Sequence, residues 1–280
     1  RDDFDNILSY TNALGYATVY TRDAERRVTR ILYPDGTSEG FAYTDFDNVL
    51  RHTNRYGGVE SFGYGTNGLR LTATNALGHV TTLTYNTNDL LASVTDALNN
   101  TTSYLYTERG QVKKITLPDS TWRGYGYDTY GNKTSETNEL GLVSTFAFNA
   151  LRQMTNSVDP LGRITYYEYS PGSGCCGGGG TDGGQLTKIT SPGGKITKYA
   201  YDAAGQKTNE IVGYGTADAA TNTFQYDAVG SLTNRIDGRG KAWAMAYNNR
   251  QRPTSATDPL GNVTQWTYDA AGNKLTERRP

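Results

Sequence analysis

Large apolar side chains recur along the chain in pairs that lie two residues apart, and the pairs return about every 21 residues. Such spacing places both side chains on one face of a β-strand. The second member, which we call the anchor, falls at Arg1, Arg22, Tyr43, Tyr64, Tyr85, Tyr106, Tyr127, Phe148, Tyr169, Tyr201, Tyr226, Tyr247 and Tyr268. The side chain two positions earlier is Tyr20, Phe41, Phe62, Leu83, Tyr104, Tyr125, Phe146, Tyr167, Tyr199, Phe224, Met245 or Trp266. Eleven of the 13 anchors are aromatic, so the pattern predicts regularly spaced strands.

Turn residues interrupt this pattern twice in every unit. The first turn follows the anchor directly and reads Asp-x-x-Gly or a relative of it, as in residues 128–131 and 202–205. The second turn comes about ten residues later and is clearest in residues 159–162 and 258–261, both Asp-Pro-Leu-Gly. Because Gly, Asn and Asp tolerate the backbone of tight turns, each unit is predicted to be two short antiparallel strands joined by hairpins.

About 13 such units predict an all-β fold, a single array over residues 1–280 with on the order of 25 strands in one antiparallel meander. Because strand twist accumulates, a sheet of more than roughly ten strands curls or closes. We therefore expect a spiral sheet or a partial hollow barrel or shell. Two insertions interrupt the period, a Gly-rich one at 170–184 and a short one near 213–221. Neither end resembles a capping unit, which predicts a fragment of a longer array.

Acidic and basic side chains nearly cancel, with 27 Lys and Arg against 28 Asp and Glu. Such a chain has no net field to attract a polyanion, so nucleic acid is not expected as a partner. No apolar run is long enough for a membrane span, and the first residues do not form an export signal. The two cysteines, Cys175 and Cys176, are adjacent and cannot build a framework of several disulfides.

With its anchors, Asp-x-x-Gly turns and Pro-Leu-Gly turns, the whole chain resembles the Rhs/YD-repeat family. That family includes bacterial Rhs proteins, the B and C components of insecticidal toxin complexes, and the YD shells of teneurins. The resemblance implies a spiralling β-shell, which in bacteria often encloses a toxic C-terminal domain and in teneurins serves cell-surface recognition. It also implies a secreted or cell-surface location and, for some arrays, carbohydrate binding. The family's self-cleaving Asp-Pro segment is not matched here, so no catalytic residue is carried over.

The remaining candidates for chemistry have plainer interpretations. His52 and His79 occupy different slots of the repeat, so they are not expected to meet, and the spacing suggests no partners for either. Cys175 and Cys176 lie in a Gly-rich loop, where a vicinal disulfide, a redox switch or half a metal site are alternatives to an inert loop. Residues 172–177 match G-x-G-x-x-G by composition alone, without the helix that a phosphate site needs.

Paired acids invite comparison with glycosidase carboxylates or a calcium loop. Asp3 and Asp5, like Asp45 and Asp47, lie in the repeating turn, which favours turn capping by the side chain instead. The sequence therefore indicates no catalytic residue, no metal site and no cofactor.

Aromatic rings can also stack on sugars, although their regular rows are better explained by packing. Trp122 and Trp243 fall outside the two rows, so we expect them to be exposed, and they are the candidate ligand-contacting aromatics. We expect a non-enzymatic scaffold that encapsulates or presents a C-terminal effector, with the rest of the polypeptide as its partner. The alternative is a cell-surface module that binds carbohydrate or protein.

Overall fold

The computed structural model describes residue 4, residues 6–171 and residues 184–280. Within these residues every regular element is a β-strand, and the strands number 25. The predicted all-β fold and its strand number are therefore confirmed. No helix capable of crossing a membrane occurs in the described ranges.

The first twelve strands are β1 Ser9–Thr11, β2 Ala17–Arg22, β3 Val28–Leu32, β4 Ser38–Tyr43, β5 Val49–Thr53, β6 Val59–Tyr64, β7 Arg70–Thr74, β8 Val80–Tyr85, β9 Leu91–Thr95, β10 Thr101–Tyr106, β11 Val112–Thr116 and β12 Trp122–Tyr127. The others are β13 Lys133–Thr137, β14 Val143–Phe148, β15 Met154–Val158, β16 Ile164–Tyr169, β17 Leu186–Thr190, β18 Ile196–Tyr201, β19 Lys207–Val212, β20 Ala220–Tyr226, β21 Leu232–Ile236, β22 Ala242–Tyr247, β23 Pro253–Thr257, β24 Val263–Tyr268 and β25 Lys274–Arg278.

The chain forms two compact units. One contains Arg1–Tyr125 and Thr137–Gly141, and the other contains Gly126–Glu136 and Leu142–Pro280. Inside each unit, strands that follow one another in sequence pair antiparallel, as β4 does with β5 and β22 with β23. The predicted meander is therefore present in both units.

Each regular repeat consists of a six-residue strand, a five-residue turn, a five-residue strand and another five-residue turn, as in β4, β5 and the turns after them. The turn after β12 is typical. Gly131 N donates to Asp128 O at 3.1 Å, and Asp128 N donates to Asn132 O at 3.0 Å. Gly131 has φ 89°, which completes a type I turn followed by a left-handed residue, the common three-residue hairpin loop. The 21-residue period is thus the length of two strands and two such turns.

The two faces of the sheet differ in burial. Along β22, Trp243, Met245 and Tyr247 are half-buried, whereas the three alanines that alternate with them are exposed. We call the face that carries the anchors the ring face and the opposite one the open face. No hydrophobic residue in the described part of the chain is fully buried. Within the described residues, burial is therefore partial, and along β22 it is greater on the ring face.

Strand register brings the rings of successive units to the same face. Phe41 lies opposite His52, His52 lies opposite Glu60, and Phe62 follows Glu60 by two positions. Residues directly opposite one another in antiparallel strands share a face, as do residues two apart in one strand. Phe41 and Phe62 consequently belong to one continuous row, as the sequence predicts.

The two insertions fall between strands. Residues 213–219 form the loop between β19 and β20, where Thr216 Oγ1 donates to Gly213 O at 2.7 Å. The Gly-rich insertion lies mainly in residues 172–183, outside the described residues. At its base, Ser170 N donates to Gln185 O at 2.8 Å, and Gln185 N donates to Ser170 Oγ at 3.0 Å. These bonds join the ends of β16 and β17 and preserve the hairpin.

Candidate functional sites on the two faces of the sheet

The anchor tyrosines bond to the preceding repeat through their hydroxyl groups. Tyr64 Oη donates to Val49 O at 2.8 Å, and Val49 lies opposite the previous anchor, Tyr43, just past a β-bulge. The β5–β6 ladder reaches only to Arg51 and Ser61, so the hydroxyl satisfies a carbonyl beyond its end. We call this bond the tyrosine clasp, because it ties each hairpin to the next.

The clasp recurs with lengths of 2.7–3.0 Å throughout the array. It is made by Tyr43, Tyr64, Tyr85, Tyr106, Tyr169, Tyr201, Tyr226, Tyr247 and Tyr268. In eight of these nine the acceptor lies 15 residues earlier, and for Tyr226 it lies 19 residues earlier because of the 213–219 loop. Arg22, a non-aromatic anchor, reaches the equivalent carbonyl of Ile7 through Nη2 at 3.4 Å. The motif tyrosine therefore combines packing of its ring with a fixed hydrogen bond.

Cationic side chains lie over the rings of the ring face. Arg27 Cζ is 4.9 Å from the centre of the Tyr43 ring, and Lys207 Nζ is 4.8 Å from that of Phe224. Such cation–π contacts contribute about 0.5–1 kcal/mol each at exposed sites. Burial raises the pKa of the Tyr106 phenol, because the charged phenolate is disfavoured among these rings.

His52 lies on the ring face between two carboxylates. Its Nε2 is 3.6 Å from Glu39 Oε2, and its Nδ1 is 3.4 Å from Glu60 Oε2. The imidazole stacks on Phe41, with ring centres 4.8 Å apart. Tyr33 Oη donates to Glu39 Oε1 at 3.1 Å, which fixes that carboxylate. The expectation that His52 has no charged partners is therefore wrong, because strand register brings Glu60 opposite it and Glu39 diagonal to it.

His52 therefore contacts residues of both neighbouring strands, although only Nδ1 is within hydrogen-bond distance of a carboxylate, and Nε2 has no hydrogen-bond partner among the described residues. His79 is exposed in the turn before β8, remote in the repeat from His52 as predicted, and its backbone N donates to Asn75 Oδ1 at 3.0 Å. Among the described residues, no three His, Cys, Asp or Glu side chains are arranged to hold a metal ion.

The two candidate tryptophans lie on opposite faces. Trp122 is 40% exposed on the open face, where its ring covers Gly124 so closely that a Cβ there would meet Cζ3 at 2.6 Å. Lys114 Nζ lies 4.9 Å from the Trp122 ring centre. Trp243 is instead half-buried on the ring face, with Arg235 Cζ 5.2 Å from its ring centre. The exposure expected of both is found for Trp122 alone, since Trp243 is an even number of residues from its anchor.

The aspartate of the Asp-x-x-Gly turns caps the backbone of the turn. Asp128 Oδ1 accepts hydrogen bonds from Tyr130 N and Asn132 N, both at 2.9 Å. The pKa of Asp128 is lowered, first by the hydrogen bond from the Asn132 side chain and also by these backbone donors. The Asp128 carboxylate therefore acts as a hydrogen-bond acceptor that fixes the conformation of this turn.

The pair Asp45 and Asp47 departs from this prediction. Thr44 occupies the capping slot, and its Oγ1 accepts hydrogen bonds from Phe46 N at 3.3 Å and Asn48 N at 3.2 Å. Asp47 takes the slot that glycine holds elsewhere, at φ 62°, and accepts a hydrogen bond from Arg27 Nη1 at 2.8 Å. The capping role assigned to the pair is therefore wrong. Asp3, Asp5, the Gly-rich motif at 172–177 and both cysteines lie outside the described residues.

Comparison with solved structures identifies the fold. A chain of the Photorhabdus luminescens Tc holotoxin pore, from a TccC3 mutant, is 14% identical with a TM-score of 0.53. The likeness covers 97% of the present chain and 18% of that chain, and it shows the fold alone. A crystal structure of TcdB2–TccC3 is 13% identical, and the match covers 95% of the present chain and 18% of the TcdB2–TccC3 chain. Its TM-score is 0.36, which is too low to support an argument about the fold. No curated protein sequence matches the chain.

Sequence comparison identifies the family. The RHS Repeat model matches residues 1–38, 85–121, 182–217, 226–263 and 247–280. These segments cover more than half of the chain and contain tyrosine anchors from both units. The chain has repeating hairpins, a fixed hydroxyl bond at nine tyrosine anchors and the fold of a Tc toxin chain. Because the family model also matches more than half of its length, the protein belongs to the RHS repeat family.

Proposed function

We propose that this chain is a structural segment of a β-sheet wall that encloses another part of the same polypeptide, such as a C-terminal effector. The observation that carries the proposal is that the described residues form a sheet with no fully buried hydrophobic side chain. A layer of this kind, with solvent on both faces, is suited to separating two spaces. It has no interior in which to build an enclosed active site, so the role is that of a scaffold and not an enzyme.

The tyrosine clasp supports this role. In repeat proteins each unit contacts only its neighbours, so stability depends on the bonds between adjacent units. Tyr85 Oη bonds to Arg70 O at 2.9 Å and Tyr106 Oη bonds to Leu91 O at 2.7 Å, which continues one pattern from hairpin to hairpin. A wall built this way can be extended without a new core for each addition.

The family relationship supports the finer part of the proposal. The solved chain of similar fold comes from a Tc holotoxin pore, an assembly that includes TccC3. The present chain matches 18% of that chain's length, which supports a role as one portion of a longer structure. A secreted toxin-like protein is the setting that we propose for it.

Limited proteolysis of the full natural polypeptide tests enclosure. Any segment that follows residue 280 should resist trypsin in the intact protein and should be digested rapidly when expressed alone. The double substitution Tyr64→Phe and Tyr106→Phe should shorten the protection by weakening two clasps, whereas Tyr166→Phe on the open face should leave it unchanged. Equal digestion of the segment in both contexts would reject enclosure.

Trp122 favours a second candidate function, recognition of a carbohydrate. A flat indole, 40% exposed and supported by Gly124, resembles the rings on which sugars stack. Binding on a glycan array that is lost in Trp122→Ala and retained in Trp243→Phe, with both variants folded, would support this role. Absence of binding by the natural chain would reject it.

A further inference from the structure

An open cleft lies along the edge formed by the second turns, in the unit that contains Leu142–Pro280. It is bounded by the turn of residues 159–163, which joins β15 to β16, and by the turn of residues 191–195, which joins β17 to β18. Arg163 and Tyr166 line it from one side, and Ser191 and Gly193 line it from the other. Its volume is about 840 Å³, within the range of roughly 300–1,000 Å³ that is typical of ligand pockets. We call it the edge cleft.

The two bounding turns differ in how their backbone amides are satisfied. In the first, Asp159 Oδ1 accepts hydrogen bonds from Leu161 N at 2.9 Å and Arg163 N at 3.0 Å. In the second, the equivalent donors are Gly193 N and Lys195 N, and neither has an acceptor within the part of the chain that the structure describes. This is an exception among the second turns. In nine others a side-chain oxygen accepts from the nitrogen of the last turn residue, namely Tyr16, Thr37, Gly58, His79, Asn100, Thr121, Arg163, Lys241 and Asn262.

The two unsatisfied amides converge on one point. Gly194 N donates to Ser191 O and Ser191 N donates to Lys195 O, both at 2.9 Å, and Gly194 has φ 78°. The turn of residues 159–163 has the same two backbone bonds and a φ of 76° at its glycine. Because a single oxygen of Asp159 reaches both amides there, a single oxygen can reach Gly193 N and Lys195 N here. Converging backbone amides of this kind form a site for an anion.

Arg163 and Tyr166 provide two further groups for a ligand in the edge cleft. Arg163 Nε donates to Asp159 Oδ2 at 2.6 Å, and its terminal nitrogens have no partner among the described residues. A guanidinium is well suited to pair with a carboxylate. Tyr166 is 48% exposed on the open face and lies opposite Thr190, the residue that precedes the second bounding turn. Its ring therefore presents a flat apolar surface next to the amides.

Positive charge exceeds negative charge around the edge cleft. Lys188 and Lys198 lie directly opposite each other on the open face, and Lys188 Nζ also pairs with Glu168 Oε1 at 2.7 Å. Like charges in opposite positions repel, so an anion close to them is stabilising. The cationic side chains of this region are Arg163, Lys188, Lys195 and Lys198, and the carboxylates are Asp159 and Glu168. The surplus is local, because the whole chain has a net charge of −1.

We propose that the edge cleft binds a carboxylated sugar, such as a uronic acid residue of a polysaccharide. One carboxylate oxygen accepts from Gly193 N and Lys195 N, in the position that Asp159 Oδ1 holds in its own turn. The other oxygen pairs with the Arg163 guanidinium, and the pyranose ring stacks on Tyr166. A carboxylate is the expected anion because this group already caps the equivalent turns of the chain. The site is separate from Trp122 and does not depend on enclosure of a cargo.

An amide NMR titration of the 280-residue chain with glucuronate tests the site directly. The signals of Gly193 and Lys195 should shift and saturate with a dissociation constant of about 1–10 mM, as suits an open cleft with few partners. Glucose, which lacks the carboxylate, should not shift them. Acetate, which lacks the ring, should bind about tenfold more weakly, and Tyr166→Ala should reduce the affinity for glucuronate to that for acetate.

The substitution Ser191→Asp tests the role of the amides. The new carboxylate should cap Gly193 N and Lys195 N within the chain and abolish the response to glucuronate. The variant should fold, because Asp-Pro-x-Gly occurs naturally at residues 159–162 and 258–261. Asn248→Asp adds the same charge in a capping position at the opposite edge and should leave binding unchanged. Arg163→Gln should weaken binding about threefold, as expected for an exposed ion pair.

Four outcomes would overturn the proposal. They are the absence of a saturable shift up to about 50 mM glucuronate, equal shifts with glucose, equal affinity for acetate, and binding that survives Ser191→Asp.

Discussion

The ring face and the open face are built from the same strands, yet they have different physical roles. On the ring face, Trp243 is half-buried beneath the guanidinium of Arg235, and the anchor hydroxyls are bonded to backbone carbonyls. On the open face, Trp122 and Tyr166 remain substantially exposed. Trp243 lies four residues before its anchor and Trp122 lies five before its own. A shift of one residue relative to the anchor thus decides whether a tryptophan packs on the ring face or is exposed on the open face.

The largest expected difference between the faces is in the two tryptophans. Trp243→Ala should lower the free energy of unfolding by about 2–3 kcal/mol, somewhat less than the 3–5 kcal/mol typical of a fully buried ring. Trp122→Ala should lower it by less than about 1 kcal/mol, because much of its ring already contacts water. Urea denaturation of both variants measures the difference. Equal losses would contradict the assignment of packing to one face.

The tyrosine hydroxyls provide a smaller contrast. Tyr106→Phe removes the hydrogen bond to Leu91 O and should cost about 1 kcal/mol. Tyr166→Phe, on the open face, should stay within about 0.5 kcal/mol of the natural chain. Both substitutions preserve the ring, so denaturant titrations isolate the hydroxyl. A neutral effect at Tyr106 would show that the clasp is not stabilising.

Alkaline pH tests the tyrosines of the ring face through the ionisation of their hydroxyl groups. Burial raises the pKa of Tyr106, Tyr169 and Tyr201 above 10.0. Because the folded state disfavours the phenolate, this contribution to stability is complete below pH 10 and is lost as the pH rises through the folded-state pKa values. Melting temperature should therefore fall in this window, and less steeply in Tyr106→Phe. An unchanged slope in that variant would assign the fall to other groups.

The turns should show the smallest effect, in the opposite pH window. The pKa of Asp128 is lowered by its hydrogen bonds, so its contribution is present above pH 3.8 and is lost as the pH falls through the folded-state value. Asp128→Asn keeps the acceptor oxygen, as the natural Asn75 does when it accepts from Leu77 N and His79 N. The variant should lose less stability than the natural chain in acid melting curves. A steeper loss would reject this account of the turn.

Much of the fold is readable from the chain because each repeat is specified locally. Gly131 and Asp128 determine a turn from within five residues, and alternation along β22 determines which side chains share a face. The position of Trp243 could have been deduced in the same way, by counting back from Tyr247. The clasp also has a sequence signal, since its acceptor usually lies 15 residues before the tyrosine.

His52 shows where reading of the sequence fails. Glu39 lies 13 residues before His52, and Glu60 lies 8 residues after it. Both spacings are longer than one strand, so the pattern within a strand does not indicate that these side chains meet. The Glu39 contact depends on the β4–β5 register, which shifts at the bulge of Ala42 and Tyr43, and the Glu60 contact depends on the β5–β6 register. A change of one residue in either register would move that glutamate to the other face. In the turn after β4, Thr44 caps the backbone and Asp47 takes the position that glycine holds elsewhere. This arrangement likewise depends on which residue adopts the left-handed backbone.

The sequence by itself determined the repeat, the strand and turn lengths, and the family of this protein, because those features arise from interactions between residues close along the chain. Only the tertiary structure decided which hydroxyl meets which carbonyl and that His52 lies between two carboxylates. These contacts join residues of different hairpins. Their geometry depends on register and bulges, which fix distances in space that spacing along the chain does not.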